Sequence, residues 1–104
     1  MQLEHLLQAI EACDQGLLQF NLGHKRAFLF GKKWYPLRAT INYGRSLNNE
    51  SELTTDRALL ELIRLLPYSN IKEIYFSNNT PVVLTQSEIT EEVNKITHVL
   101  KSLT

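Results

Sequence analysis

Phe28-Leu29-Phe30-Gly31-Lys32-Lys33-Trp34-Tyr35-Pro36 is the stretch that decides the fold. An apolar, aromatic run opening at Ala27 meets Gly31-Lys32, a pair able to turn the chain, and Lys33-Trp34-Tyr35 carries it back. That is the pattern of a short β-hairpin. Pro36 cannot donate to a strand ladder but is tolerated in the first turn of a helix. A short helix over 37–43, stopped by Gly44, is therefore expected next. Leu37, Ile41 and Gly44 fall on one side of it, with Arg38, Asn42 and Arg45 on a neighbouring side.

Upstream, Leu3, Leu6, Leu7 and Ile10 recur at the spacing of one helical face, which predicts a helix over about 2–13, with Gly16 a place for it to end. Cys13, the single cysteine, continues that face and reads as a buried thiol with no disulfide to make. Downstream, 46–53 is a polar loop, and Thr54 or Thr55 caps a helix whose buried stripe is Leu59, Leu60, Ile63 and Leu66. Residues 71–76 read as a strand, and 77–81 turn the chain into 82–84, a second hairpin. Thr85 and Glu88 form a capping-box pattern ahead of an amphipathic helix carrying Ile89, Val93, Ile96, Leu100 and Leu103. Packing of that stripe against the sheet is the first expectation. The alternative is a face for a protein partner or a second copy, because steps of four and three also suit a coiled-coil seam. The whole is read as one α+β domain over 1–104. Its two β-hairpins form an antiparallel sheet, and three to four helices pack on one face.

Charge is sorted into blocks. The chain is formally neutral, yet 15–49 holds Lys25, Arg26, Lys32, Lys33, Arg38 and Arg45 with no acidic residue among them. A neutral total can therefore hide one basic region able to meet a polyanion. Trp34, Tyr35 and Tyr43 are interleaved with these cations, as in surfaces that grip phosphates and stack on bases. The competing reading is a basic hairpin neutralised by acidic helices of the same protein.

Chemistry of other kinds finds little support. His5, His24 and His98 are scattered, and with one cysteine no zinc spacing can be written. No glycine-rich phosphate cradle exists, no serine has a local histidine base, and Glu91 and Glu92 diverge as helix neighbours. The expectation is a non-enzyme with neither cofactor nor metal. No apolar run reaches the length of a membrane span, and the N-terminus lacks the features of a secretory signal, so the chain is expected in the cytosol.

The segment from Phe28 to Ile41 resembles the N-terminal head domain of McrA-type, modification-dependent HNH restriction endonucleases and related bacterial defence proteins. That family carries a strand pair of the form G-K-x-Tyr-x-x-Lys-Ala-(Ile/Val), matched here by Gly31, Lys32, Tyr35, Arg38, Ala39 and Ile41, with Arg38 in place of lysine. The similarity spans roughly 3–68 and leaves the 70–104 piece, a hairpin and a helix, outside it. It implies a module working beside restriction, defence or phage machinery. No HNH motif is present, so cleavage is not implied.

Two functions are compatible with these patterns. The first is a non-catalytic nucleic-acid-binding module, DNA before RNA, using Lys25, Arg26, Lys32, Lys33, Trp34, Tyr35, Arg38, Tyr43 and Arg45. The second is a protein-interaction or dimerisation module, a small accessory or inhibitor protein, acting through the 85–103 helix. One contiguous positive face would favour the first. Pairing of the cations with Glu61, Glu73 or Glu92 would favour the second.

Overall fold

The computed structural model describes residues 1–103. Helix α1 (Leu3–Asp14) is followed by β1 (Gly23–Phe30), β2 (Lys33–Pro36), α2 (Leu37–Leu47), α3 (Thr55–Leu65), β3 (Ile71–Phe76), β4 (Val82–Val83) and α4 (Gln86–Ser102). The fold is α+β, as expected, and the four strands of the described residues join in one antiparallel sheet. Gly31 takes φ +63° between Phe30 and Lys33, which face each other, so a two-residue turn led by glycine closes the first hairpin. Strand β1 starts four residues before the apolar run, because Gly23–Arg26 pair with Phe76–Glu73 of β3.

The second hairpin needs correction. The sheet order is β3-β1-β2-β4, so β3 pairs with β1 and β4 with β2, and the two do not pair with each other. Eight-residue β1 outreaches four-residue β2, leaving a long free edge that six-residue β3 fills. β4 takes the opposite edge of the hairpin, beside Lys33 and Trp34.

Two cores result from strand alternation. On one face Phe28 and Tyr35 stack, with ring centroids 5.7 Å apart. Leu6, Ile10 and Cys13 of α1, Leu37 and Ile41 of α2, and Ala58 and Leu62 of α3 cover them. On the other face Ala27, Trp34, Phe76 and Leu84 form a smaller cluster, joined by Phe20, Val82 and Ile89. The helices are thus not all on one face: α1, α2 and α3 share one side, and the first turn of α4 sits on the other.

Helix ends follow local chemistry. The α1 end is a Schellman turn in which Leu17 N–H bonds Ala12 O at 2.9 Å, with Gly16 at φ +70°. Gly44 does not stop α2; it is a buried interior position. A Cβ there would lie 3.0 Å from Met1 Cε and 3.1 Å from His5 O, so the glycine lets α1 and α2 approach closely. Half of the expected α3 stripe holds: Leu59 and Leu66 pack against the first core beside buried Ala58 and Leu62, whereas Leu60 and Ile63 are exposed.

Helix α4 departs most from expectation. Thr85 and Glu88 form the capping box, as the spacing predicts, with Glu88 N–H on Thr85 Oγ1 at 3.2 Å. Only Ile89 reaches a core, and every residue from Val93 to Leu103 is exposed, Ile96 at 60% and Leu103 at 78%. The sheet ends beneath Glu92, where its carboxylate meets Asn70 Nδ2 at 3.1 Å, so the aliphatic stripe runs on with nothing beneath it among the described residues. No helix among the described residues is long and apolar enough to cross a membrane.

Candidate nucleic-acid interface

The basic block is not one face. Lys33 Nζ lies 3.3 Å from Asp14 Oδ1, and the same carboxylate oxygen accepts Tyr35 O–H at 2.8 Å. Burial first, then this bond, pushes the Tyr35 phenol well above its usual range. Both residues therefore tie β2 to the end of α1. Arg45 is largely buried, giving Nε to Ser51 O at 2.7 Å and Nη1 to Glu50 at 3.4 Å. Lys32 sits exposed at the hairpin tip.

Trp34 is not a stacking platform. It is 5% exposed, because the strand face opposite Tyr35 is itself covered. Its Nε1 donates to Glu88 Oε2 at 2.9 Å, and Lys72 Nζ lies 4.3 Å from the ring centroid. Lys72 also bonds Glu88 at 2.6 Å. The Lys72 bond foremost, with Thr85 and Trp34 donating too, holds the Glu88 carboxyl down at about 2 against partial desolvation. Strand alternation puts Trp34 and Tyr35 on opposite faces, but neither is left off a core. Both are buried, each on its own face.

Four of the nine expected residues do converge. Lys25, Arg26, Arg38 and Tyr43 line one groove of about 440 Å³, bounded by the 18–21 segment, β1, the start of α2 and the start of α3. Arg26 reaches Asp56 at only 4.0 Å, and Asp56 is 95% exposed, so solvent screens that pair. Lys25 has no ion-pair partner among the described residues. Among those residues, Glu52 alone brings an acid to the lining. The balance favours an anion.

The Arg38–Asn42–Arg45 side of α2 does a different job from the one its sequence suggested. Asn42 accepts Leu53 N–H at 2.8 Å and donates to Leu53 O at 3.1 Å, while Arg38 Nε donates to the same carbonyl at 3.2 Å. With Arg45 on Ser51, this side grips the backbone of the 50–53 loop. Only the guanidinium end of Arg38 remains for the groove. Asn42, Ser46 and Thr55 also line it; α2 periodicity marks the first two, whereas Thr55 comes from the start of α3, which only tertiary folding brings in.

The cations pair with Asp14, Glu50 and Asp56. Glu61 is engaged by Arg64, Glu73 by His24, and Glu92 by Lys95. Ion pairing thus claims Lys33 and Arg45 firmly and groove-lining Arg26 only weakly, and among the described residues it leaves Lys25, Lys32 and Arg38 without an acidic partner. Comparison with protein-family models, with curated proteins and with solved structures gives no match.

Proposed function

We propose that this chain is a nucleic-acid-binding module without catalysis of its own, DNA before RNA, working in the cytosol. The observation that supports it is the convergence of Lys25, Arg26 and Arg38 on one groove walled by Tyr43. Cations so placed neutralise phosphates without reading sequence, and Tyr43 offers a ring beside them. The resemblance to McrA-type head domains supports a setting in defence, restriction or phage machinery. Most of the shared motif serves fold: Gly31 turns the hairpin, and Tyr35 and Ile41 are core, so Arg38 is the motif residue nearest to function. Fluorescence anisotropy on single- and double-stranded oligonucleotides tests the reading. Binding that weakens by about 40-fold between ~50 and ~200 mM salt is expected for roughly three neutralised phosphates. No binding at the lower salt and tens of micromolar protein defeats it.

A second reading is favoured by a separate observation, the unpartnered aliphatic stripe of α4 from Val93 to Leu103. Such a stripe on a protruding helix marks a protein-interaction surface.

A further inference from the structure

We propose that α4 pairs antiparallel with the α4 of a second copy of this chain. The pairing rests on α4 being an interaction element, and the helix's own chemistry then names the partner.

Ile89, Val93, Ile96, Leu100 and Leu103 alternate steps of four and three, which average the 3.5 residues of a two-helix seam. Val99, also exposed, widens the stripe. The exposed part, 93–103, projects about 16 Å of helix, and in the chain itself Val93, Ile96, Val99, Leu100 and Leu103 belong to neither core cluster.

Charge selects both partner and direction. Glu88, Glu91 and Glu92 occupy the first half of α4, and Lys95, His98 and Lys101 the second. Two parallel copies would set like halves side by side; two antiparallel copies set acidic against basic and oppose the helix dipoles. Crossing midway between Val93 and Ile96 places Val93 against Ile96 of the other copy and brings its Leu100 to the partly exposed side of Ile89, whose other side stays in its own second core. Glu91 then lies beside the other copy's His98. The contact is two-fold symmetric and closes on itself, so assembly stops at two. Such stripes together remove on the order of 1,000 Å² from water, the lower limit for a specific interface, so association falls in the micromolar range.

Sedimentation equilibrium on the full chain over roughly 1–500 µM reads the assembly directly. A monomer–dimer equilibrium is expected, abolished in Ile96→Glu/Leu100→Glu with an unchanged far-ultraviolet spectrum and urea midpoint. Under mild oxidation Val93→Cys/Ile96→Cys should cross-link. Leu103→Cys should not, since those positions lie about 25 Å apart in this register. Cys13 does not compete: it is buried, and burial pushes its thiol up to about 11. A chain monomeric throughout, or one cross-linking through Leu103→Cys, overturns the proposal. Hydrogen exchange on the monomer separates the two levels. In a chain found monomeric throughout, exchange over 93–103 as fast as that of an isolated helix defeats only the second copy, whereas exchange as slow as that of the core helices shows the stripe covered by its own body and defeats any partner.

Discussion

Trp34 Nε1 and Glu88 Oε2, 54 residues apart in sequence, are joined at 2.9 Å. Through that bond the indole at the centre of the second core is tied to the capping residue of α4. Lys72 closes a triangle, bonding the carboxylate and lying over the ring. This is where the last helix is anchored to the sheet.

Acid should release the anchor. Glu88 is held from 4.5 down to about 2, chiefly by Lys72, so its ionised form is bound more tightly in the folded protein. Its stabilisation is complete above the unfolded value and is lost as pH falls from about 4.5 through about 2. Trp34 emission should shift across that window, and Glu88→Gln should show the loosened emission already at neutral pH. An identical acid profile in the variant would contradict this.

Binding and stability should separate by residue. Lys25→Ala or Arg38→Ala should each weaken oligonucleotide binding and reduce the salt slope by about 1. Lys32→Glu, at the hairpin tip away from the groove, should do less. Trp34→Ala should cost about 3–5 kcal/mol of stability through the second core, while any remaining folded protein binds as before. Anisotropy and urea melts on the same preparations give both readouts. Greater binding loss in Lys32→Glu than in Arg38→Ala would move the site.

Gly44→Ala tests the α1–α2 approach. In an open helix the change would gain up to about 1 kcal/mol. Here the new methyl meets the His5 carbonyl oxygen at 3.1 Å and Met1 at 3.0 Å. A net loss of about 1 kcal/mol is expected, read as a lowered urea midpoint with unchanged slope. A raised midpoint would show that α1 yields freely.

Shortening α4 should have two outcomes depending on the cut. Ending the chain after Glu92 removes only exposed side chains among the described residues and should leave a cooperative melt within about 1 kcal/mol of the full chain. Ending it before Thr85 also removes Glu88 and Ile89, uncovering Trp34, and should destabilise markedly. Equal loss from both cuts would mean that the 93–103 stretch packs on the body.

Legibility in the sequence followed the range of the interactions. The Gly31-Lys32 turn and the Thr85–Glu88 cap depend on residues within four positions of one another, and each lies where its pattern put it; α1 forms where expected too, but it buries Leu6, Ala9, Ile10 and Cys13 and leaves Leu3 and Leu7 exposed. The partners of β3 and β4 depend on which free edge is long enough, a relation among three distant segments, so adjacency in sequence suggested a hairpin that does not form. Periodicity showed that α4 has an apolar face but could not show that the sheet ends under Glu92. The groove was half visible: Lys25, Arg26, Arg38 and Tyr43 stood in the basic block, but so did Lys33, Arg45, Trp34 and Tyr35. What separates the two sets is the reach of Asp14, Glu50 and Glu88, acids that lie outside the block in sequence.

The sheet order carries a kinetic consequence. β3 and β4 are consecutive yet occupy opposite edges, so the 77–81 segment must span three strand spacings, about 14 Å. Neither edge can zip onto the other, and both must find a β1–β2 hairpin already made. Once β3 has docked, the five-residue strap holds Val82 close to Trp34, and the loop entropy for closing β4 is already spent. The local hairpin is therefore the natural nucleus, and the two edges close around it as one late, coupled event.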